Sequence, residues 1–313
     1  MTTREVEHEI IVNAPAPDVY RLIAEVENWP RIFPPTIHVA HLERGERAER
    51  IQIWATANGE PKTWTSRRTL DPEGLRIGFR QEVSTPPVAE MGGTWVIEPV
   101  DGEPSRQSRV RLLHDYRAID PAGLKWIDEA VDRNSQSELA ALKANVEQAV
   151  AAEADLLMSF DDTVQVNGSA EDVYDFLNEA QLWEKRLAHV SRVALTEDEP
   201  GLQILEMDTR TKEGSAHTTK SIRVCFPHER IVYKQIGLPA LLSLHTGSWL
   251  IQPADTGVRV TAEHTVVIDT ANIGKILGDD AGVADAKAFV RTALSGNSTA
   301  TLGYAKEYAE GRK

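Results

Sequence analysis

The sequence predicts an α+β protein of two tandem domains, each a curved antiparallel sheet wrapped around a long C-terminal helix with an internal pocket. Three observations carry this. The stretch "IIVNAPAPDVYRLIAEVENWP" (residues 10–30) is echoed by "VQVNGSAEDVYDFLNEAQLWE" (residues 164–184), and at an offset of 154 the pairs Val12/Val166, Asn13/Asn167, Asp18/Asp172, Tyr20/Tyr174 and Trp29/Trp183 coincide. The same offset aligns "GTWVIEPVD" (Gly93 to Asp101) with "GSWLIQPAD" (Gly247 to Asp255), so whole domains are duplicated rather than a single helix. Finally, alternating segments follow two short helical ones and precede a long amphipathic one, an order that a sheet closed by a helix satisfies. The halves run over 1–150 and 157–313.

Element by element, the first half opens with "REVEHEIIVN", whose alternation reads as a strand ending at "NAPAP". Val19, Leu22, Ile23 and Val26 then recur at helical spacing. After "NWPRIFPP" come six alternating segments: "IHVAHLE", "RIQIWATA", "TWTSRRTL", "LRIGFRQEV", "GTWVIEPV" and "RVRLLHDYRAI". Beyond Pro121 a long helix is expected, with Leu139, Leu142, Val146 and Val150 as its apolar stripe. Near the end of each half "RNSQSEL" faces "GNSTATL", a few inserted residues having shifted the offset.

Composition bounds the function. The chain has 313 residues, 41% hydrophobic and 26% charged, and no apolar run nears the roughly 20 residues that span a bilayer. No membrane role is expected, and without an apolar signal core at the start the cytoplasm is the expected compartment. A net charge of −14 with dispersed basic residues argues against nucleic acid as a partner. Arg44, Arg47 and Arg50 alternate with Glu43, Glu46 and Glu49, which reads as a solvated charge run rather than a docking patch. Cys225, the single cysteine, lies in an alternating segment and reads as an inert core thiol. The nine histidines lack ligand spacing, and no phosphate loop is present, so neither a metal nor a cofactor is expected.

Chemistry must then come from acid, base and oxyanion-holding side chains inside the pocket. A period of two puts Trp64, Ser66 and Arg68 on one strand face, and an inward guanidinium there would hold a carbonyl or enolate oxygen. The rival reading is a solvated strand arginine. His114 shares a face with Val110 and Leu112 and titrates in the range useful for proton transfer, although a core or surface histidine is the commoner case. Asn134 shares a helix face with Ser137 or Glu138. Trp29, Trp64 and Trp95 read as core residues, and the same aromatics would serve as the walls of a pocket for a flat ligand.

Taken together, "VNAPAPDVYRLIAEVENWPRIFP", "WTSRRTLDP" and "GGTWVIEP", repeated in tandem over the full length, resemble the di-domain aromatase/cyclases of bacterial type II aromatic polyketide synthases, of the START-like, Bet v 1-like helix-grip superfamily. The resemblance implies the helix-grip fold in both halves. It implies aldol cyclisation of a poly-β-ketone tethered to an acyl carrier protein, joining carbons seven and twelve, then dehydration to an aromatic first ring. It places Arg68 as the family's pocket arginine and His114 as a polar pocket residue. Asn134 is expected to act with them, and Trp29, Phe33, Thr36, Trp64, Ser66, Trp95 and Glu138 to line the pocket. Some single-domain members carry a tyrosine where this chain has Thr36.

For the second half, aligning "HTTKSIR" with "WTSRRTL" sets His217 opposite Trp64 and Ser221 opposite Arg68, so the pocket arginine is expected to be missing, with Arg223 two residues on. The first half is therefore expected to cyclise and the second to support it. A second pocket of His217, Ser221, Arg223, Trp249, His264 and Asn297 stays open, in which His217, His264 and Asn297 would serve dehydration. The rival function is non-enzymatic binding or transport of a hydrophobic ligand, for which an isolated charge in the cavity would bring nothing.

Overall fold

The computed structural model describes residues 3–57, 59–84, 86–100, 106–150, 153–210 and 216–312. The chain divides into two compact units, 1–154 and 155–313, and each holds one seven-stranded antiparallel sheet. In the first unit β1 (Arg4–Val12) leads into α1 (Ala16–Ala24) and α2 (Trp29–Ile32). Six strands follow: β2 (Thr36–Arg44), β3 (Ala48–Ala57), β4 (Glu60–Asp71), β5 (Arg76–Val83), β6 (Val88–Pro99) and β7 (Ser108–Ala118). Helix α3 (Leu124–Val150) completes the unit.

The local chemistry accounts for these boundaries. Pro17 lies in the first turn of α1, where a backbone N–H has no intrahelical partner to lose, and Asp18 favours the positive end of the helix dipole. Val19, Tyr20 and Ile23 recur on its buried side. Asp120 accepts from the Ala122 N–H and so starts the turn that leads into α3. The six later strands form hairpin neighbours in chain order, and β1 joins by pairing with β7, from Arg4 opposite Tyr116 to Val12 opposite Ser108. Helix α3 packs on β1 and β7. Its Leu139, Leu142 and Val146 complete a core with Val12, Val19, Ile23, Ile77, Trp95, Val110 and Leu112. Val150, expected to extend that stripe, has a side chain outside the described residues.

The second unit repeats the order: β8 (Leu157–Val166), α4 (Ala170–Asn178), α5 (Trp183–Arg186), β9 (Val190–Glu199), β10 (Leu202–Arg210), β11 (Ala216–Phe226), β12 (Arg230–Gly237), β13 (Leu242–Pro253), β14 (Val258–Ile268), α6 (Ile273–Leu277) and α7 (Val283–Glu310). Ser169 caps α4 by accepting from the Asp172 N–H at 3.0 Å. Cys225 is buried in β11, and burial pushes its thiol up to about 11, so it stays protonated. The charge run at Glu43–Arg50 is corrected at one position. Arg44, Arg47 and Arg50 meet Glu27, Glu73 and Glu82 in exposed pairs, but Glu49 turns inward and is 5% exposed.

Candidate active site

Between sheet and helix the first unit encloses a cavity of about 190 Å³. One transverse row of the sheet supplies its polar chemistry. Glu49 on β3 is opposite Arg68 on β4, Arg68 opposite Phe79 on β5, Phe79 opposite Gly93 on β6, and Gly93 opposite His114 on β7. Three strand spacings separate Arg68 from His114, roughly 14 Å, so the row spans a ring-sized ligand. Gly93 is required in it: a Cβ there would stand 2.0 Å from the Leu113 carbonyl oxygen and 2.7 Å from the Phe79 ring.

Arg68 is 1% exposed and its guanidinium lies over the Trp29 ring at 5.0 Å. It donates to the C-terminal carbonyls of α1, Ile23 at 2.8 Å and Ala24 at 3.1 Å, and pairs with Glu49 at 2.5 Å. A helix end presents unpaired carbonyls and partial negative charge, so a buried arginine is well placed there. His41 approaches the second oxygen of Glu49 at 3.1 Å. Three of the five guanidinium N–H groups are thus committed and the charge is neutralised on the spot.

Around this row stand the aromatic walls. Trp29 meets Phe33 edge-on at 5.5 Å, Phe33 stacks on Trp95 at 5.9 Å, and Trp64 lines the same void. His114 stands edge-on to Phe79, its Nδ1 buried without a partner, and desolvation, aided by the nearby His8, lowers it to about 4. At neutral pH it is an uncharged imidazole, able to donate or accept but a weak base. From α3, Asn134, Ser135 and Glu138 face the cavity. Burial raises the Glu138 carboxyl to about 7, which poises it between acid and base near neutrality.

The second unit has a smaller cavity, about 110 Å³, and the same row. Gln203 is opposite Arg223, Arg223 opposite Tyr233, Tyr233 opposite Gly247, and Gly247 opposite His264. Arg223 sits over Trp183 at 5.4 Å and donates to the Leu177 carbonyl near the end of α4, as Arg68 does over Trp29. The expectation that this unit lacks the pocket arginine is therefore wrong. Arg223 occupies the place of Arg68, Ser221 that of Ser66, Thr219 that of Trp64, and His217 that of Lys62. The strands slip because the segments preceding β4 and β11 differ in length, which an alignment of seven residues cannot detect.

Comparison with known proteins agrees with this two-unit fold. The family model for polyketide cyclase / dehydrase and lipid transport matches residues 3–147 and again 158–310. The chain belongs to that family. A granaticin polyketide synthase bifunctional cyclase/dehydratase of Streptomyces virginiae is 54% identical, over 96% of this chain and 98% of that one. An actinorhodin polyketide synthase bifunctional cyclase/dehydratase of Streptomyces coelicolor is 47% identical over 95% and 94%. Among solved structures, the di-domain ARO/CYC BexL superposes with a TM-score of 0.89 at 63% identity, covering 99% of this chain and 100% of that one. The di-domain ARO/CYC StfQ from the steffimycin pathway gives 0.86 at 36%, covering 98% and 99%. This member of the family is accordingly an enzyme, a helix-grip aromatase/cyclase of polyketide biosynthesis.

In this cyclase the first cavity gathers Arg68, His114 and Asn134 with Trp29, Phe33, Thr36, Trp64, Ser66, Trp95 and Glu138. The second gathers His217, Ser221, Arg223, Trp249, His264 and Asn297. Ser66 is less free than its place suggests, since its hydroxyl donates to the Arg80 carbonyl at 3.2 Å. Sequence reasoning missed Glu49, Tyr233 and His245. The 154 offset offered a signal for the first: it carries Glu49 to Gln203, a change of charge beside an arginine that both units keep.

Proposed function

We propose that this enzyme closes the first ring of a carrier-protein-bound poly-β-ketone by aldol addition between carbons seven and twelve, then dehydrates it, and that the first cavity holds the chemistry. The observation that carries the assignment is the convergence, on one aromatic-walled void, of a carboxyl poised near neutrality, a neutral imidazole and a charge-balanced guanidinium.

The steps follow from those groups. The Glu138 carboxylate takes a proton from a methylene flanked by two ketones. The remaining N–H groups of Arg68 hold the enolate oxygen so formed. The enolate carbon attacks the folded chain's ketone carbon, one C–C bond forms, and the alkoxide takes back the proton now on the Glu138 carboxyl while the His114 N–H donates a hydrogen bond to it. The Glu138 carboxylate then takes a second methylene proton and passes it to the departing hydroxyl, which leaves as water, and enolisation completes the aromatic ring. Trp29, Phe33, Trp64 and Trp95 confine the chain so that only one pair of carbons meets. A neutral polyketone enters readily because Glu49 has already cancelled the arginine's charge.

The test is product analysis of a minimal polyketide synthase reconstituted with this enzyme, with and without a ketoreductase. Wild type is expected to yield one first-ring product, and Glu138→Gln to lose at least a hundredfold in rate and return scrambled shunt products. An unchanged product profile from Glu138→Gln would remove that residue from the mechanism. No effect of wild type under either condition would overturn the reading.

A further inference from the structure

The two polar rows differ most at the residue opposite the arginine. Glu49 neutralises Arg68, whereas Gln203, 1% exposed, faces Arg223 with an uncharged amide. The Gln203 amide nitrogen is turned away, donating to Glu197 at 2.8 Å and to the Asn178 backbone and side-chain oxygens. Arg223 makes one hydrogen bond, to Leu177 at 2.6 Å, and its Nη1 is buried without a partner. Four of its five N–H groups are therefore uncommitted among the described residues. A buried cation in that condition is costly and attracts a counter-charge.

No carboxylate supplies one inside the cavity. Among the described residues its lining contains no Asp, Glu or Lys, and Arg223 is the single permanently charged group in it. Glu197 stands behind Gln203, one hydrogen bond removed. The next residue in the row is also polarised. Where the first unit has Phe79, the second has Tyr233, whose hydroxyl lies 3.2 Å from His264 Nδ1, which in turn lies 3.1 Å from His245 Nε2. Burial holds both imidazoles neutral, so the chain can orient O–H and N–H donors without adding charge. Trp183 and Trp249 flank the space with flat apolar surface.

We infer that the second cavity is an anion site, which takes the oxyanion of a flat conjugated molecule, an enolate or a carboxylate, on Arg223 and Tyr233. The first cavity, whose guanidinium is already paired with Glu49, admits neutral ligands and meets an oxyanion only when one forms on the bound chain. This rests on the cyclase reading only for the identity of the natural ligand, and it is tested by binding rather than turnover, so the two fail separately.

Calorimetric titration of the full chain with salicylate, with its neutral methyl ester, and with cyclohexane-1,3-dione, an enolate at neutral pH, reads the site directly. One saturable site for salicylate is expected, with the methyl ester at least tenfold weaker. Dione binding at the same site identifies enolates as ligands too, and its absence restricts the site to carboxylates. Gln203→Glu, which rebuilds the first unit's own pair and so keeps a geometry this fold accepts, is expected to weaken salicylate at least tenfold. The reciprocal Glu49→Gln is expected to raise the stoichiometry from one site to two. Salicylate binding untouched by Gln203→Glu, equal affinity for the methyl ester, or no saturable binding by either anion would each overturn the proposal.

Discussion

At the residue scale, Glu49, buried, and Glu138, half-buried at the cavity wall, are two carboxyls in opposite circumstances. Glu49 is held by Arg68 and His41, so removing it strands a guanidinium that is 1% exposed. Breaking such a pair costs about 3–5 kcal/mol, and Glu49→Ala is expected to lower the urea midpoint of the first unit accordingly; a change under 1 kcal/mol would show that the pair contributes little. Desolvation alone raises Glu138, from 4.5 to about 7. Its folded form binds more protons than the unfolded chain between those values, so its contribution to stability is lost as pH rises from about 4.5 through 7. Wild type should therefore lose more melting temperature than Glu138→Gln between pH 5 and 8, while the rate rises over the same range. Parallel melting curves would refute the shift. Faces were legible in the sequence at this scale: the period of two placed Trp64, Ser66 and Arg68 together on the cavity side. Partners were not, because Glu49 and Arg68 meet across strands, 19 residues apart, and alternation says nothing about what sits opposite.

At the scale of elements, the glycine kept in "GTW" and "GSW" explains why two strands share a motif. Gly93 and Gly247 let the side chain of the neighbouring strand, Phe79 or Tyr233, lie flat on the sheet, and a Cβ at Gly247 would meet the Tyr233 hydroxyl and the Glu263 carbonyl oxygen, each at 2.4 Å. Gly93→Ala is expected to cost about 1–3 kcal/mol by overpacking and to displace Phe79 from the cavity wall. Chemical denaturation checks the first effect and ligand affinity the second; a neutral substitution would mean that the strands separate at no cost. Strand order and the long helix were readable because turn signals and hydrophobic period act locally. The register of β11 was not, since it is set by the hairpin partners β10 and β12 and by the length of the preceding segment.

Across the whole molecule, buried histidines shape the response to acid. His114, His245 and His264 are depressed from 6.5 to about 4, 3 and 4, first of all by burial. Between 6.5 and those values the unfolded chain binds the protons that the folded one refuses, so stability falls as pH drops through that window. Two of the three lie in the second unit. Acid titration followed by hydrogen exchange is expected to show the second unit opening first, with His245→Asn shifting that transition to lower pH; a shift confined to the first unit would contradict the assignment.

The pairing of β1 with β7 also constrains how the chain is made. Residues 4–12 are synthesised well before the strand they pair with, at 108–118, so β1 waits through some hundred residues without its neighbour. The second unit imposes the same delay on residues 157–166, whose partner is 258–267. Each unit, however, closes its sheet entirely within its own half of the chain. Synthesis thus proceeds as two successive waiting periods, and the first sheet can be sealed before the second has begun to wait.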